Sequence, residues 1–368
     1  MPKADRSIAV SRAERRHDGL TRLRLVFIGW VVVFHLDLLL RLTIDLPWLR
    51  PLIETGYLGI DGFFLLSGFV LWLGYGSRPP TDAASLGQFW LRRFARTWPL
   101  HILVLLALAA LVGLVMATGG RIHEPERFGM RDFLLQAALV HAWEATERLT
   151  WNSPSWALSV EWAGYLAFPL LVHAWRRIPA FVLLPAAGLC LAGLWVMAEL
   201  SPGVGLNLSL HLGLLRFFLE FAMGLSLGKL ATEDRLPAAL PLLAGGALAA
   251  GLLVRQDALA VAGLAALIAT IWQRGAVSAR SEKPDLSLRL GEASFGIYIC
   301  WVFVEAGMVG LLRVVQPSLA GRTLLMATGF AAALGIGWLA WRYVEEPGRR
   351  WLLQSERKAT GLFVEVPR

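Results

Sequence analysis

The chain has 368 residues, of which 56% are hydrophobic and only 17% are charged, and its mean hydropathy is +0.57. Apolar runs of about 17 or more residues recur along its whole length, which argues against a soluble domain and predicts a polytopic helical membrane protein. The formal net charge of +8 mostly reflects the basic residues that flank these runs. A nucleic-acid-binding function is therefore a poor explanation of the high pI.

The predicted fold class is all-α, with about ten transmembrane helices. In chain order the predicted spans are residues 25–41, 57–75, 99–116, 157–174, 180–198, 207–228, 236–253, 257–273, 294–312 and 323–341. With the N-terminus in the cytosol, the cytosolic segments hold 25 of the 35 lysines and arginines, and the outer segments hold nine. Because basic residues favour the cytosolic side, both termini are predicted to be cytosolic.

The predicted spans divide the chain into three parts. Residues 1–24 form a basic cytosolic segment that resembles the head of a signal peptide, but the next apolar run has no cleavage site, so it is expected to remain as an anchor. Residues 25–351 form one membrane domain, and residues 352–368 form a cytosolic tail. In the long outer loop, residues 131–143 are apolar at helical spacing but too short to span, so a helix lying flat on the outer surface is expected.

Ionisable residues inside the predicted spans point to a functional site. His35 lies about 16 Å beyond Arg24 along the first helix, within the bilayer. Asp61, Glu161 and Arg216 also lie within spans, in the outer half. Buried charges need partners, and a histidine beside a carboxylate is a common general base. The alternatives are a neutral histidine bonded between helices, and carboxylates that cap a helix or pair with Arg216.

A second group of charges lies just before the third span. Arg92, Arg93 and Arg96 offer guanidinium groups that suit a polyphosphate, although the preference for basic residues in the cytosol would also place them there. Cys190 and Cys300 both fall within spans and are interpreted as packing residues, so no metal site is predicted.

Seven blocks of sequence carry a resemblance to a known family. They are the Arg24-x10-His35 pair, GYLGIDGFFLLSGF, RRFARTWPLH, SWALSVEWAGYLAFP, RFFLEFAMG, GEASFGIYI and YVEEPGRRW. In this order the blocks resemble the acyltransferase-3 family of membrane O-acyltransferases, over residues 20 to 351. The resemblance implies that the membrane domain transfers an acetyl or other short acyl group from cytosolic acyl-CoA to a hydroxyl of a carbohydrate, glycan or glycolipid acceptor.

The resemblance also implies roles for individual residues. Acyl-CoA is expected as the co-substrate, and no permanently bound cofactor is expected. The protein itself is expected in the bacterial inner membrane. The expected catalytic residues are His35 as the base, Arg24, Asp61 and Glu161. The expected donor-binding residues are Arg92, Arg93 and Arg96. The tetrahedral intermediate of such a reaction would also need hydrogen-bond donors, and the candidates for acceptor-binding or oxyanion residues are Arg216, Ser67, Ser159 and Trp156.

One position departs from the family pattern. The family commonly has S-Y-x-x-Y-L-x-H in the ninth span, whereas this chain has Trp301 at the histidine position, so a second histidine in the mechanism is in doubt. A transporter or flippase for a polar or glycan substrate is the alternative function, because ten spans with buried charges are ordinary in such proteins. No convincing internal repeat of the transporter kind is found in the sequence.

Overall fold

The computed structural model describes the backbone of residues 3–122, 124–275 and 285–360. These residues form helices and connecting turns with no β-strand among them, which confirms the all-α prediction. The α-helices are α1 (Lys3–Leu40), α2 (Leu42–Asp45), α3 (Arg50–Ile53), α4 (Gly59–Tyr75), α5 (Ala83–Ala117), α6 (Met130–Ala137), α7 (Ser155–Arg177), α8 (Ala180–Glu199), α9 (Gly213–Thr232), α10 (Leu240–Val254), α11 (Asp257–Arg274), α12 (Leu286–Glu292), α13 (Ser294–Leu312), α14 (Leu319–Ala340) and α15 (Glu346–Thr360).

Within the described residues, eight helical segments are long and apolar enough to cross a membrane. They are His17–Leu40, Pro47–Tyr75, Ala83–Ala117, Ser155–Arg177, Ala180–Glu199, Asp257–Arg274, Ser294–Leu312 and Leu319–Gln354. The other two predicted spans correspond to α9, which carries Arg216, Glu220 and Lys229, and to α10, which has 15 residues. The polytopic membrane class is confirmed, whereas the count of ten spans and the cytosolic termini stay predictions.

Two helices extend further toward the predicted cytosolic side than their apolar runs suggest. The basic N-terminal segment and the first span form the single helix α1, so Arg24 and His35 are held eleven residues apart on one rigid element. The third span belongs to α5, which begins at Ala83 rather than at residue 99 because Asp82 caps it: its carboxylate accepts from the backbone N–H of Ser85 at 2.8 Å. Arg93 and Arg96 therefore lie on the same helix as the span.

The C-terminal tail is helical where it is described. Helix α15 continues through residues 352–360, and residues 361–368 lie outside the described part of the chain. Its first turn carries Glu346, which forms ion pairs with Arg349 and Arg350. Local charge pairs of this kind support an exposed helix end that has little apolar surface to bury.

The crossing of α4 and α9 depends on two glycines. A Cβ atom at Gly68 would overlap the carbonyl oxygen of Phe221, and one at Gly224 would overlap that of Leu65. Small residues allow such close contact between membrane helices, because the backbones themselves pack together. This contact fixes the register of the two helices two turns further outward, where Asp61 and Arg216 face each other.

The outer segment between α5 and α7 folds into the bundle. Helix α6 exposes Met130 and Leu134, as expected of a helix at a surface, but Gln136, His141 and Asn152 are at most 2% exposed. The expectation that residues 131–143 form one helix lying flat is therefore wrong for its second half, since α6 ends at Ala137. The chain turns inward there because its polar groups find partners in α7.

Candidate active site

A cavity of about 890 Å³, including its open mouth, lies between α1, α4, α5, α7 and α13. Its apolar lining comes mainly from α4, with smaller contributions from α7 and α13. The polar and charged lining residues are Arg24, Ser67, Arg93, Arg96, Thr97, Glu161, Tyr165, Ser294 and Tyr298. Five residues predicted from the sequence meet in this one space, although they come from four different helices: Arg24, Ser67, Arg93, Arg96 and Glu161.

Three half-buried arginines line the cavity. Arg24 extends from α1, and Arg93 and Arg96 lie one turn apart on α5. The guanidinium carbon of Arg93 lies 5.8 Å from the ring centre of Tyr165, and its Nε is buried without a hydrogen-bond partner in the described part of the chain. Partly desolvated guanidinium groups with free N–H donors suit an anionic ligand such as phosphate.

Arg92 differs from the other two arginines of its block. It is exposed, and it does not line the cavity. Residues three apart on a helix share a face, as Arg93 and Arg96 do, whereas adjacent residues point about 100° apart. The structure thus separates Arg92 from the two arginines with which the sequence analysis grouped it.

Two carboxylates lie close to the arginines. The hydroxyl of Ser67 donates to Oε1 of Glu161 over 2.5 Å, which links α4 to α7 inside the cavity. Glu345 is 6% exposed and interacts electrostatically with Arg24 and Arg96, yet its Oε2 has no hydrogen-bond partner among the described residues. Three guanidinium groups and two carboxylates leave an excess of positive charge for a ligand.

The sequence analysis missed Glu345. It ends the π-helical segment Trp341–Glu345 that joins α14 to α15, and such segments are frequent at functional sites. The signal in the sequence was the pair of glutamates in the YVEEP block. The sequence could not show which of them faces inward: Glu345 is buried, whereas Glu346 forms ion pairs with Arg349 and Arg350.

Arg216 and Asp61 form a separate, fully buried ion pair. The guanidinium donates through Nε to Oδ1 of Asp61 at 3.1 Å and through Nη2 to Oδ2, and its Nη1 donates to the carbonyl oxygen of Leu208 at 3.1 Å. Glu220 also contacts it, with Oε1 3.5 Å from Nε. This is the ion-pair alternative that the sequence left open. With these contacts in place, Arg216 has little capacity to bind an oxyanion and Asp61 is not turned toward His35.

His35 lies outside the cavity lining. Its imidazole is half-buried and stacks on the indole of Trp301, with ring centres 4.4 Å apart and planes 26° apart. The ring of Phe34 contacts it edge-on at 5.0 Å. Among the hydrogen bonds and ion pairs of the described residues, none joins His35 to Asp61 or Glu161. The structure therefore does not bring together the histidine and the carboxylates that the sequence analysis expected to orient it.

Ser159 and Trp156 support the surroundings of the site. Ser159 donates to the carbonyl oxygen of Leu139 at 2.9 Å and accepts from the backbone N–H of Ala142 at 3.1 Å, so it anchors the inward-folded outer segment. The ring of Trp156 lies 5.7 Å from the guanidinium carbon of Arg216, in a cation–π contact. Neither residue lines the cavity.

A buried histidine in the outer segment was also missed. Nε2 of His141 lies 3.1 Å from the hydroxyl of Ser155, and the side chain is 2% exposed. Burial, with a smaller contribution from neighbouring His101, lowers the pKa of His141 to about 3. His141 is accordingly neutral at physiological pH, and it serves as a hydrogen-bonding group that ties the outer segment to α7.

The described residues hold no group of three or more His, Cys, Asp and Glu side chains that could bind a metal ion. Cys190 is half-buried and Cys300 is buried, and both are free thiols. Their surroundings fit the packing role that the sequence indicates.

A family model for an acyltransferase domain, acyltransferase-3, matches residues 17–342 of this chain. The chain belongs to the acyltransferase-3 family. The match confirms the resemblance found in the sequence, and it includes every residue that lines the cavity. Glu345 lies just beyond the matched range.

Two curated relatives of this acyltransferase-3 family protein match over parts of their length. Acyltransferase MdmB of Streptomyces mycarofaciens is 38% identical over 167 residues, which cover 41% of this chain and 40% of the relative. Protein 2 in the picA locus of Rhizobium radiobacter is 45% identical over 56 residues, or 15% of this chain and 29% of that protein. The chain thus spans less than half the length of either relative, and no solved structure matches it.

Proposed function

We propose that this protein is an integral membrane O-acyltransferase that moves an acetyl or other short acyl group from cytosolic acyl-CoA to a hydroxyl of a carbohydrate or glycan-type acceptor. Membership of the acyltransferase-3 family supports the reaction class. The observation that carries the proposal is the cavity, because it gathers three arginines with an excess of positive charge inside the helical bundle. In a bacterium, the proposed location is the inner membrane.

The donor site is assigned to the arginine cluster of Arg24, Arg93 and Arg96. Phosphates of the nucleotide end of acyl-CoA accept charge-assisted hydrogen bonds from guanidinium groups, and Nε of Arg93, which has no partner in the described part of the chain, supplies one donor. Glu345, whose Oε2 has no hydrogen-bond partner among the described residues, interacts electrostatically with Arg24 and Arg96. A phosphate would compete with this carboxylate for Arg24 and Arg96.

The distance along α1 links the donor site to His35. The two ends of the Arg24–His35 pair are about 16 Å apart along the helix axis, so a bound nucleotide at one end requires a long flexible arm to bring its thioester to the other. The pantetheine arm of acyl-CoA has this character. The route would pass the apolar wall of α4, which accommodates the arm without charged contacts.

His35 acts as the general base in the proposed reaction. Its imidazole takes the proton of an acceptor hydroxyl that arrives from the outer side, and the alkoxide oxygen attacks the thioester carbonyl. The carbon–sulfur bond of the tetrahedral intermediate then breaks. The thiolate of CoA takes the proton back from the imidazolium and leaves as free thiol, so the base is regenerated and the acceptor becomes an ester.

Calorimetry with acetonyl-CoA tests the donor site. This uncleavable ketone analogue has a methylene between the sulfur and the carbonyl. We expect the double variant Arg93→Gln/Arg96→Gln to bind it at least about 100-fold more weakly than wild type, since each charge-assisted contact contributes about 1.5 to 3 kcal/mol. Arg92→Gln is the matched control, because Arg92 adjoins Arg93 but is exposed and outside the cavity.

The same measurement separates the enzyme from the transporter alternative. A wild-type protein that does not bind acetonyl-CoA would lack a donor site, and a transporter for a polar substrate would then explain the buried charges better. If Arg92→Gln and the double variant weakened the binding of acetonyl-CoA equally, the effect would come from general charge rather than from a site in the cavity.

A further inference from the structure

Trp301 is a buried residue of α13 whose indole N–H finds no acceptor in the described part of the chain. Its side chain is 2% exposed, and its indole Nε1 has no hydrogen-bond partner among the described residues. An indole nitrogen is a donor only, so no other arrangement of its proton satisfies it. A buried, unpaired donor destabilises the folded protein, so this group is suited to a partner that arrives from outside.

The position of Trp301 places this donor next to the proposed base. Its indole stacks on the imidazole of His35, with ring centres 4.4 Å apart and planes 26° apart. Tyr298 lies one turn before it on α13 and lines the donor cavity, with its hydroxyl held by the carbonyl oxygen of Pro154. Trp301 therefore lies one turn along α13 from a cavity-lining residue and in contact with His35, where the proposed reaction requires the thioester.

The proposed reaction needs a donor at this point. Attack on a thioester turns the carbonyl oxygen into an oxyanion, which preorganised N–H or O–H groups stabilise. The candidates that the sequence offers are already engaged: Arg216 with Asp61, Ser67 with Glu161, and Ser159 with the backbone of the outer segment.

We propose that the indole N–H of Trp301 donates a hydrogen bond to the carbonyl oxygen of the acyl thioester as it becomes an oxyanion, while the ring positions the imidazole of His35. This inference rests on the proposed function, since it assigns a donor to the acyl-transfer step. The N–H bond is kept throughout: the electron pair of the carbonyl moves to oxygen on attack and returns when the carbon–sulfur bond breaks.

Trp301→Phe tests the donor, because phenylalanine keeps an aromatic ring against His35 and removes only the N–H edge and part of the indole. The assay is CoA-thiol release from acetyl-CoA by purified protein in dodecyl maltoside, with the maltoside hydroxyls and water as acyl acceptors. We expect kcat to fall about 10²- to 10³-fold. The KM for acetyl-CoA should change less than threefold, because the arginine cluster is untouched.

Trp175→Phe is the matched control. Trp175 is half-buried on α7, and its indole N–H already donates to Ser226 at 3.0 Å, away from the cavity lining. Its kcat should stay within twofold of wild type. A Trp301→Phe enzyme with wild-type kcat would overturn the inference while leaving the proposed function intact.

A spectroscopic measurement tests the same bond without turnover. Ultraviolet resonance Raman difference spectra of wild type and Trp301→Phe, with and without acetonyl-CoA, report hydrogen bonding of the indole N–H. We expect a shift on binding in wild type that is absent from the variant. Binding by calorimetry without this shift would refute the role of Trp301 alone. Absence of binding to wild type would refute the proposed function, and the inference with it.

Discussion

Arg216 binds both carboxylate oxygens of Asp61 across the crossing of α4 and α9, and both side chains are at most 1% exposed. The nearby carboxylate of Glu220 has two buried oxygens without a hydrogen-bond partner among the described residues. One guanidinium thus faces two acidic groups in a space without solvent. A buried set of this kind depends on every member, because removing one leaves an uncompensated charge.

Arg216→Met should destabilise the protein by about 3 to 5 kcal/mol, since it leaves Asp61 and Glu220 together without a cation. Thermal unfolding in detergent measures the loss. The triple variant Asp61→Leu/Arg216→Met/Glu220→Met should regain most of the stability, because it removes every charged member of the buried set. The exposed Arg235→Met is a control that should cost no more than about 1 kcal/mol. A stable single variant would contradict this account.

The glycine contact between α4 and α9 predicts a second effect on stability. Gly224→Ala should cost about 1 to 3 kcal/mol, because the added methyl group meets the carbonyl oxygen of Leu65 and the helices must separate. Gly245→Ala on α10 is the matched control, since no atom lies within 4 Å of its added methyl. Comparable unfolding temperatures for both variants would show that the crossing tolerates separation.

Replacement of His35 tests the proposed base. His35→Ala should lower acetyl-CoA turnover about 10²- to 10⁴-fold, because proton transfer by a positioned side chain contributes that much. Binding of acetonyl-CoA should persist, since His35 does not line the cavity. The exposed His211→Ala serves as control. Near wild-type release of CoA thiol by His35→Ala would remove the histidine from the mechanism.

The buried His141 predicts a pH dependence of stability. Its pKa of about 3 in the folded protein lies below the value of about 6.5 in an unfolded chain, so the unfolded state takes up a proton first as the pH falls. The contribution of His141 is therefore fully present above about pH 6.5 and is lost toward pH 3, by about 1.4 kcal/mol per pH unit.

His141→Gln should accordingly flatten the fall in unfolding temperature between pH 7 and pH 5, because glutamine does not titrate. His211→Gln removes an exposed histidine and should leave the slope unchanged. Unfolding scans of the three proteins at matched ionic strength make the comparison. Parallel slopes for wild type and His141→Gln would show that other groups dominate the acid sensitivity.

The asymmetry of basic residues predicts the orientation in the membrane. In a background with Cys190→Ser and Cys300→Ser, the variant Glu124→Cys should react with an impermeant maleimide in intact cells. Ser77→Cys, in the segment between α4 and α5, should react only after permeabilisation. Both positions are exposed, so access depends on the side of the membrane. The opposite labelling pattern would place the arginine cluster outside the cell and remove its access to cytosolic acyl-CoA.

The sequence by itself determined the membrane class and the positions of most helices. These features are local, because apolar runs decide where a helix can lie in a bilayer. The predicted span 180–198, for example, matches α8 to within one residue.

Only the tertiary structure decided which of the charged residues meet. The sequence grouped His35 with Asp61 and Glu161 because they lie at similar depths in the membrane. In the structure, the close crossing at Gly68 and Gly224 brings Asp61 against Arg216, and Glu161 accepts a hydrogen bond from Ser67. The depth of a residue in the membrane follows from its position along one helix, but the side chains that it contacts depend on how two helices rotate and cross. Rotation and crossing are fixed by packing between residues far apart in the chain, which periodicity does not encode.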